Sequence, residues 1–376
     1  MTRRKAFRVA IAIVVSGLLC ARVAAQPPDS TPATSASARE MTAAAVALLA
    51  SLRPAERTAA TFPLVGEART NWSNVPAYAH QRPGLRIGDL DVQQKLRVHD
   101  LLRASLSSQG YQKVAGVMRL DDVNGAQQRA RLQPDANAYS RGVATSFGTA
   151  NYFFSIFGEP GKDAQWAWLI QGHHLGVSFT VAEERVAFLP MFLGATPLAV
   201  AENVETGWSA LPQEVARGAE LMRALTPTQR KQAYSDEEVP DDVLNGVGNK
   251  HRLTPPQGLR AAAMTPPQQR LLRALVEEYV RNADFDAADA QLDAIAAASW
   301  DALTFSWRGA VDDLDAPFYY RVQGPRIVIE LRNTEDHIHT IVRDPANDYG
   351  EQWLGVEYRE PITAAERSAA ARRAAE

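Results

Sequence analysis

Apolar residues recur at two different periods along this chain, and the switch between them divides it into elements. From Met41 to Leu52 an alanine- and leucine-rich run ended by Arg53-Pro54 predicts a helix. Residues 92–108 place Val92, Leu96, Leu101, Leu102 and Leu106 near the helical period, predicting an amphipathic helix between Asp91 and a stop at Gly110. Helical patterning returns over 213–233 and 266–298, each with a Thr-Pro start, Thr226-Pro227 and Thr265-Pro266. Residues 151–193 differ in kind: Tyr, Phe, Trp and Val alternate with smaller residues, interrupted by Gly158-Glu159-Pro160-Gly161. Two to four strands are expected there, with turns near Gly161 and Ala182-Glu183-Glu184. A second strand-rich block spans 304–343, where Phe318–Gln323 and Arg326–Leu331 flank Gly324-Pro325 and suit antiparallel neighbours. Ser235 to Gly258, acidic and then rich in glycine and proline, reads as a surface loop, and the tail from Thr363 as a fraying helix. These elements predict an α+β fold in a single large domain over 41–360, a mixed and largely antiparallel sheet with the helices on one face and a site on the other.

The first residues change the picture of where the protein works. Arg3, Arg4, Lys5 and Arg8, an apolar run from Val9 to Leu19, and Val23-Ala24-Ala25 before Gln26 have the layout of a secretory signal cleaved after Ala25. Cys20 is preceded by Leu19 rather than a small residue, so it reads as part of the discarded signal and not as a lipid anchor. The paired arginines leave twin-arginine and general secretory export both open. Residues 26–40 are small, polar and proline-bearing, and read as a linker. The expected location is therefore the bacterial periplasm or exterior. Cleavage removes five of the 40 Lys and Arg and none of the 43 Asp and Glu, making the formal −3 of the whole chain more negative by five. That balance argues against nucleic acid as a partner, and no later run reaches the ~20 apolar residues of a membrane span. The only cysteine lies in the leader, so the mature protein has no disulfide and relies on a buried core.

Candidate chemistry centres on histidine. Four of the seven fall in two groups inside the strand-rich blocks, His173-His174 and His337-Ile338-His339. On a strand His337 and His339 project from the same face, whereas adjacent His173 and His174 point apart, so only one of those joins a common site unless a bulge intervenes. Glu330 could add a carboxylate. Such a set suits copper, iron, manganese or zinc, with an open position for Lewis-acid or water-activating chemistry. A metal-free histidine site and histidines packed for structure are the alternatives. Arg321, Arg326 and Arg343 offer an anionic substrate a contact, or ion pairs with Glu330, Asp336 or Asp344. Trp168 and Tyr320, with Trp166, Trp307 and Tyr319, could line a pocket, although aromatic residues in strands are more often core. Asp344 to Gly350 has oxygen ligands in a tight loop without EF-hand spacing, and reads as a turn. No serine sits in a nucleophile elbow, and no nucleotide cofactor is expected.

One ordered set of residues is more specific than any single piece. It comprises Phe157-Gly158-Glu159-Pro160, Trp166-Ala167-Trp168, Gly172-His173-His174-Leu175, Pro190 to Pro197, Phe305-Ser306-Trp307, Tyr319 to Pro325, Glu330, His337 to Thr340, Arg343-Asp344-Pro345 and Asp348-Tyr349-Gly350. With it the chain, from about Ala43 to Tyr358, resembles the family catalogued as domain of unknown function 3500. The resemblance implies no particular reaction. It does imply that Gly172-His173-His174, Glu330 and His337-x-His339 are characteristic positions. It also implies a His-Tyr pair after Asp-Tyr-Gly, where this chain has Glu357-Tyr358. The expectation is an exported protein with His173 or His174, Glu330, His337 and His339 converging as metal ligands and a small molecule as substrate. The alternatives are a non-catalytic envelope protein that binds a metal ion or small molecule, and a structural or interaction protein.

Overall fold

A computed structural model describes residues 35–201, 206–334 and 336–361. The expected leader, the linker up to residue 34 and the tail from Thr363 lie outside the described residues. Ten α-helices are present among the described residues: α1 (Ala36–Ser51), α2 (Pro54–Ala60), α3 (Val92–Ser105), α4 (Ser108–Ala130), α5 (Ala138–Thr145), α6 (Pro212–Ala224), α7 (Pro227–Ala233), α8 (Pro266–Val280), α9 (Phe285–Ala297) and the single turn α10 (Glu351–Leu354). None is long and apolar enough to cross a membrane.

Local sequence explains most of these boundaries. Asp91 caps α3 by accepting from Gln94 N, with the Gln94 side chain returning to Asp91 N. Thr226 and Thr265 cap α7 and α8 in the same way, each with proline at the first helical position. Two expectations are corrected. Helix α1 begins at Ala36, inside the stretch read as linker, because Ser35 caps it and Ser37 and Ala38 are buried against the α9 region. Gly110 is no helix stop: α3 ends at Ser105, and Gly110 lies in α4, where a Cβ would collide with the Asn282 carbonyl. The apolar face of α3 is likewise Val98, Leu101 and Leu102, whereas Val92 and Leu96 are exposed.

The strands form one mixed sheet. Nine carry it: β3 (Phe153–Phe157), β4 (Gln165–Gly172), β5 (Leu175–Ala182), β6 (Arg185–Ala187), β7 (Met191–Ala195), β10 (Thr304–Gly309), β11 (Phe318–Gly324), β12 (Ile327–Thr334) and β13 (His337–Arg343). Four two-residue strands complete it: β1 (Thr61–Phe62), β2 (Leu85–Arg86), β8 (Tyr234–Ser235) and β9 (Leu259–Arg260). The order is β1-β3-β4-β5-β7-β13-β12-β11-β10-β8, and only the short β1 and β8 pair in parallel. The first block thus holds five strands, more than expected, because His173-His174 is itself a two-residue hairpin loop between paired Gly172 and Leu175. The β7–β13 pairing joins the two blocks at the middle of the sheet.

Alternation along the strands builds two cores. One face presents Trp166, Trp168, Phe179, Leu193, Ile338, Ile329, Tyr320 and Trp307 to the large cluster formed with α1, α3, α4, α6, α8 and α9. The other presents Leu169, Phe192 and Ile341 to a smaller cluster with Trp72, Val243 and Val247. Loops and single helical turns, rather than the long helices, cover this second face. The segment read as a surface loop is therefore largely buried from Val243 to Gly248.

Candidate metal centre

The site lies on the loop-covered face, where the two strand blocks meet. His337 and His339 alternate with buried Ile338, so both imidazoles leave the same side of β13. Across the seam His339 is paired with Gly194 of β7, and the Gly194 N–H donates to the carbonyl of His174. A Cβ on Gly194 would stand 2.9 Å from His339 Cδ2 and 3.1 Å from His174 Cδ2, so the missing side chain is what lets the two rings approach. His174 occupies the second loop position with φ +64°, which turns its ring toward β13.

The three side chains converge through one kind of atom. Nε2 of His337 is 2.8 Å from Nε2 of His174 and 2.9 Å from Nε2 of His339. Taken as a group, one nitrogen from each lies within 4.8 Å of the others, close enough to bind a metal ion. Behind them, His339 Nδ1 sits 2.6 Å from Asp242 Oδ1 and donates to it, which leaves the lone pair of the neutral ring on Nε2. Asn74 Nδ2 donates to the other oxygen of Asp242 at 3.0 Å, and the Asn74 carbonyl accepts the His174 N–H. Arg332, the cross-strand partner of His339, donates from Nε to the carbonyl of Pro240 and so holds the approach to Asp242.

Burial and neighbouring rings disfavour protonation here. His174 is held well below the ordinary histidine range, first by burial and then by His173, His339 and His337. His337 is pushed down to about 3, chiefly by burial and next by His339. Burial raises the Asp242 carboxyl, but His339 together with the hydrogen bonds from Val243 N–H and Asn74 lowers it by more, and the net shift is downward. His174 and His337 are thereby held neutral, the state in which imidazole binds metals, with the ionised Asp242 carboxylate behind His339.

His173 has a different role. Its Nδ1 donates to Asp121 Oδ1 of α4 at 2.6 Å, while Asp121 Oδ2 takes the Gly148 N–H at 2.7 Å. The expectation that the two neighbours point apart assumed a strand. In the hairpin loop their rings instead lie against one another, centroids 3.6 Å apart and tilted by 31°, although they bond to different partners.

The remaining sequence candidates are placed elsewhere. Glu330 is on the same face of β12 but stands opposite Ile341; Arg321 Nε and the Asn245 N–H donate to its two oxygens, so it is held away from the histidine group. Arg321 is spent on that pair, Arg326 on Asp344, and Arg343 on Asp348 and Glu360. Trp168 is core, stacked on Phe179, and Tyr320 is core, bonded to Tyr279 and the Glu214 carbonyl. Glu357 is exposed and outside the histidine group. A cavity of about 1040 Å³ bounded by Phe62, Leu64, Gly158 and Lys162 touches none of the histidines. Sequence reasoning missed Asp242, Asn74 and Arg332, whose segments carry no motif.

Fold and site together define an α+β protein with a three-histidine cluster that could hold a metal ion, set where two antiparallel strand blocks join. The chain belongs to the family described as protein of unknown function (DUF3500), whose model matches residues 34–351 and so includes every group of this cluster. No curated protein and no solved structure matches it.

Proposed function

We propose that this is an exported metal-dependent protein, and an enzyme rather than a store, in which His174, His337 and His339 bind one divalent transition metal through Nε2. The contact of His337 Nε2 with the Nε2 atoms of both His174 and His339 carries this reading. Each neutral ring can offer at most one proton there, and His339 already spends its proton on Asp242. Hydrogen bonds alone therefore leave lone pairs facing one another at 2.8–2.9 Å, whereas a single cation satisfies all three. The imidazole–carboxylate pair behind His339 supports the same reading, because it orients a ligand and raises its basicity.

Three protein ligands leave coordination positions open, as catalytic sites do and closed structural sites do not. A metal held there would supply Lewis-acid or redox chemistry; its identity separates a hydrolytic from an oxidative role. The chain's own contribution is to fix the tautomer of His339 through Asp242, to hold Asp242 through Asn74, and to keep His174 and His337 neutral by burial. The signal-like leader supports a location in the envelope or outside the cell.

The direct test is elemental analysis by inductively coupled plasma mass spectrometry of untagged protein purified from the envelope, beside a His337→Ala/His339→Ala variant. Near-stoichiometric copper, iron, manganese or zinc that vanishes in the variant is expected. Metal-free wild type, even after reconstitution, overturns the proposal.

A further inference from the structure

The spacing of the ligand atoms constrains what the site can accept. With bonds of about 2.0–2.1 Å, nitrogens 2.8–2.9 Å apart subtend about 90° at a shared ion, whereas a tetrahedron would separate them by roughly 3.3–3.4 Å. Right angles between His337 and each of its two neighbours fit an octahedral rather than a tetrahedral ion, and three nitrogens on an octahedron leave at least two open positions adjacent to one another. His174 and His339 are buried and His337 is half-buried, so the open positions lie toward solvent on the His337 side.

Charge narrows the choice further. Three imidazoles are neutral donors, and the carboxylates bonded to the histidines are already engaged, Asp242 by His339 and Asn74, Asp121 by His173 and Gly148. A divalent ion would keep its full charge toward whatever binds next. Beside it stands a further cation, Arg332, on the same face of the sheet and directly opposite His339. Its Nε is used by Pro240, and its terminal nitrogens make no hydrogen bond among the described residues.

We propose, building on the metal reading above, that the centre takes an anionic chelator bearing two adjacent oxygen donors, of the enediolate, catecholate or hydroxamate class. The two oxygens fill neighbouring positions on the metal, and the Arg332 guanidinium faces the bound negative charge. This assigns Arg332 as a substrate-binding residue in place of the buried Arg321 and Arg343.

The test uses the full chain loaded with cobalt(II) and followed by visible absorption. Acetohydroxamate is the chelating probe, and acetamide, which lacks the second oxygen, is the control. Saturable binding of acetohydroxamate at least about 30-fold tighter than acetamide is expected, with the cobalt retained through gel filtration. Arg332→Gln should keep its cobalt and weaken acetohydroxamate about tenfold, the loss of one charge-assisted contact. Cobalt bound with a spectrum indifferent to acetohydroxamate, or equal affinities for the two probes, overturns the chelator proposal and leaves the metal site standing. An unchanged affinity in Arg332→Gln overturns the role of Arg332. Failure to retain cobalt at all overturns the metal reading on which the proposal rests.

Discussion

Asp242 offers no atom to the proposed ligand set, yet the arrangement of the site depends on it. Its Oδ1 fixes the tautomer of His339, and its Oδ2 is held by Asn74, whose own carbonyl accepts the N–H of His174. One carboxylate thereby ties the loop that carries the first ligand to the strand that carries the other two. Replacing it by Asn keeps the shape but removes the charge that makes His339 a better donor. Asp242→Asn should weaken metal affinity by about 10–100-fold with the fold intact, measured by competition against a chromophoric chelator. An unchanged affinity would mean that Asp242 is only a surface partner of His339. Nothing in the chain announces this residue: it is one of several acidic groups between Asp236 and Asp242, and only the folding of that segment over the sheet selects it.

At the scale of elements, the legible part of the site is the part that local geometry decides. His337 and His339 are spaced by the strand period, so their common direction followed from alternation alone. For His173 and His174 the same rule gave the right outcome, since only His174 joins the group, on a wrong premise: adjacent residues oppose each other only within a strand, and here Gly172 and Leu175 pair across a two-residue turn. Glu330 illustrates another limit. Its face was predictable, but its partner depends on the β11–β12 register, which sets it opposite Arg321 and buries both. That pair belongs to the fold rather than to the metal. Glu330→Gln should leave metal content unchanged while costing about 3–5 kcal/mol in urea unfolding, because the Arg321 charge stays buried without its counter-ion. Loss of metal at unchanged stability would reverse that assignment. The helices were largely legible from their Thr-Pro starts and apolar period, and the misplaced stop at Gly110 arose because the close approach of Asn282 is a tertiary fact.

At the scale of the whole molecule, the cluster sits at the β7–β13 junction, the pairing that joins the first strand block to the second. His174 and His337 are 163 residues apart in the chain, so a shared ion closes a long loop as well as filling a site. An ion that binds only when both blocks are in place stabilises the folded state through linkage. At ~100-fold excess over its dissociation constant the gain is about 2.7 kcal/mol. For a domain of this size that corresponds to a rise of roughly 4 °C in Tm. Thermal unfolding of chelator-stripped protein should show such a rise on adding the resident metal. The His337→Ala/His339→Ala variant should show none, although it keeps the rest of the β7–β13 pairing. An equal shift in both proteins would place the binding elsewhere. A shift confined to the wild type would show that the metal reports on the union of the two blocks, and hence that the site forms only when the sheet is complete.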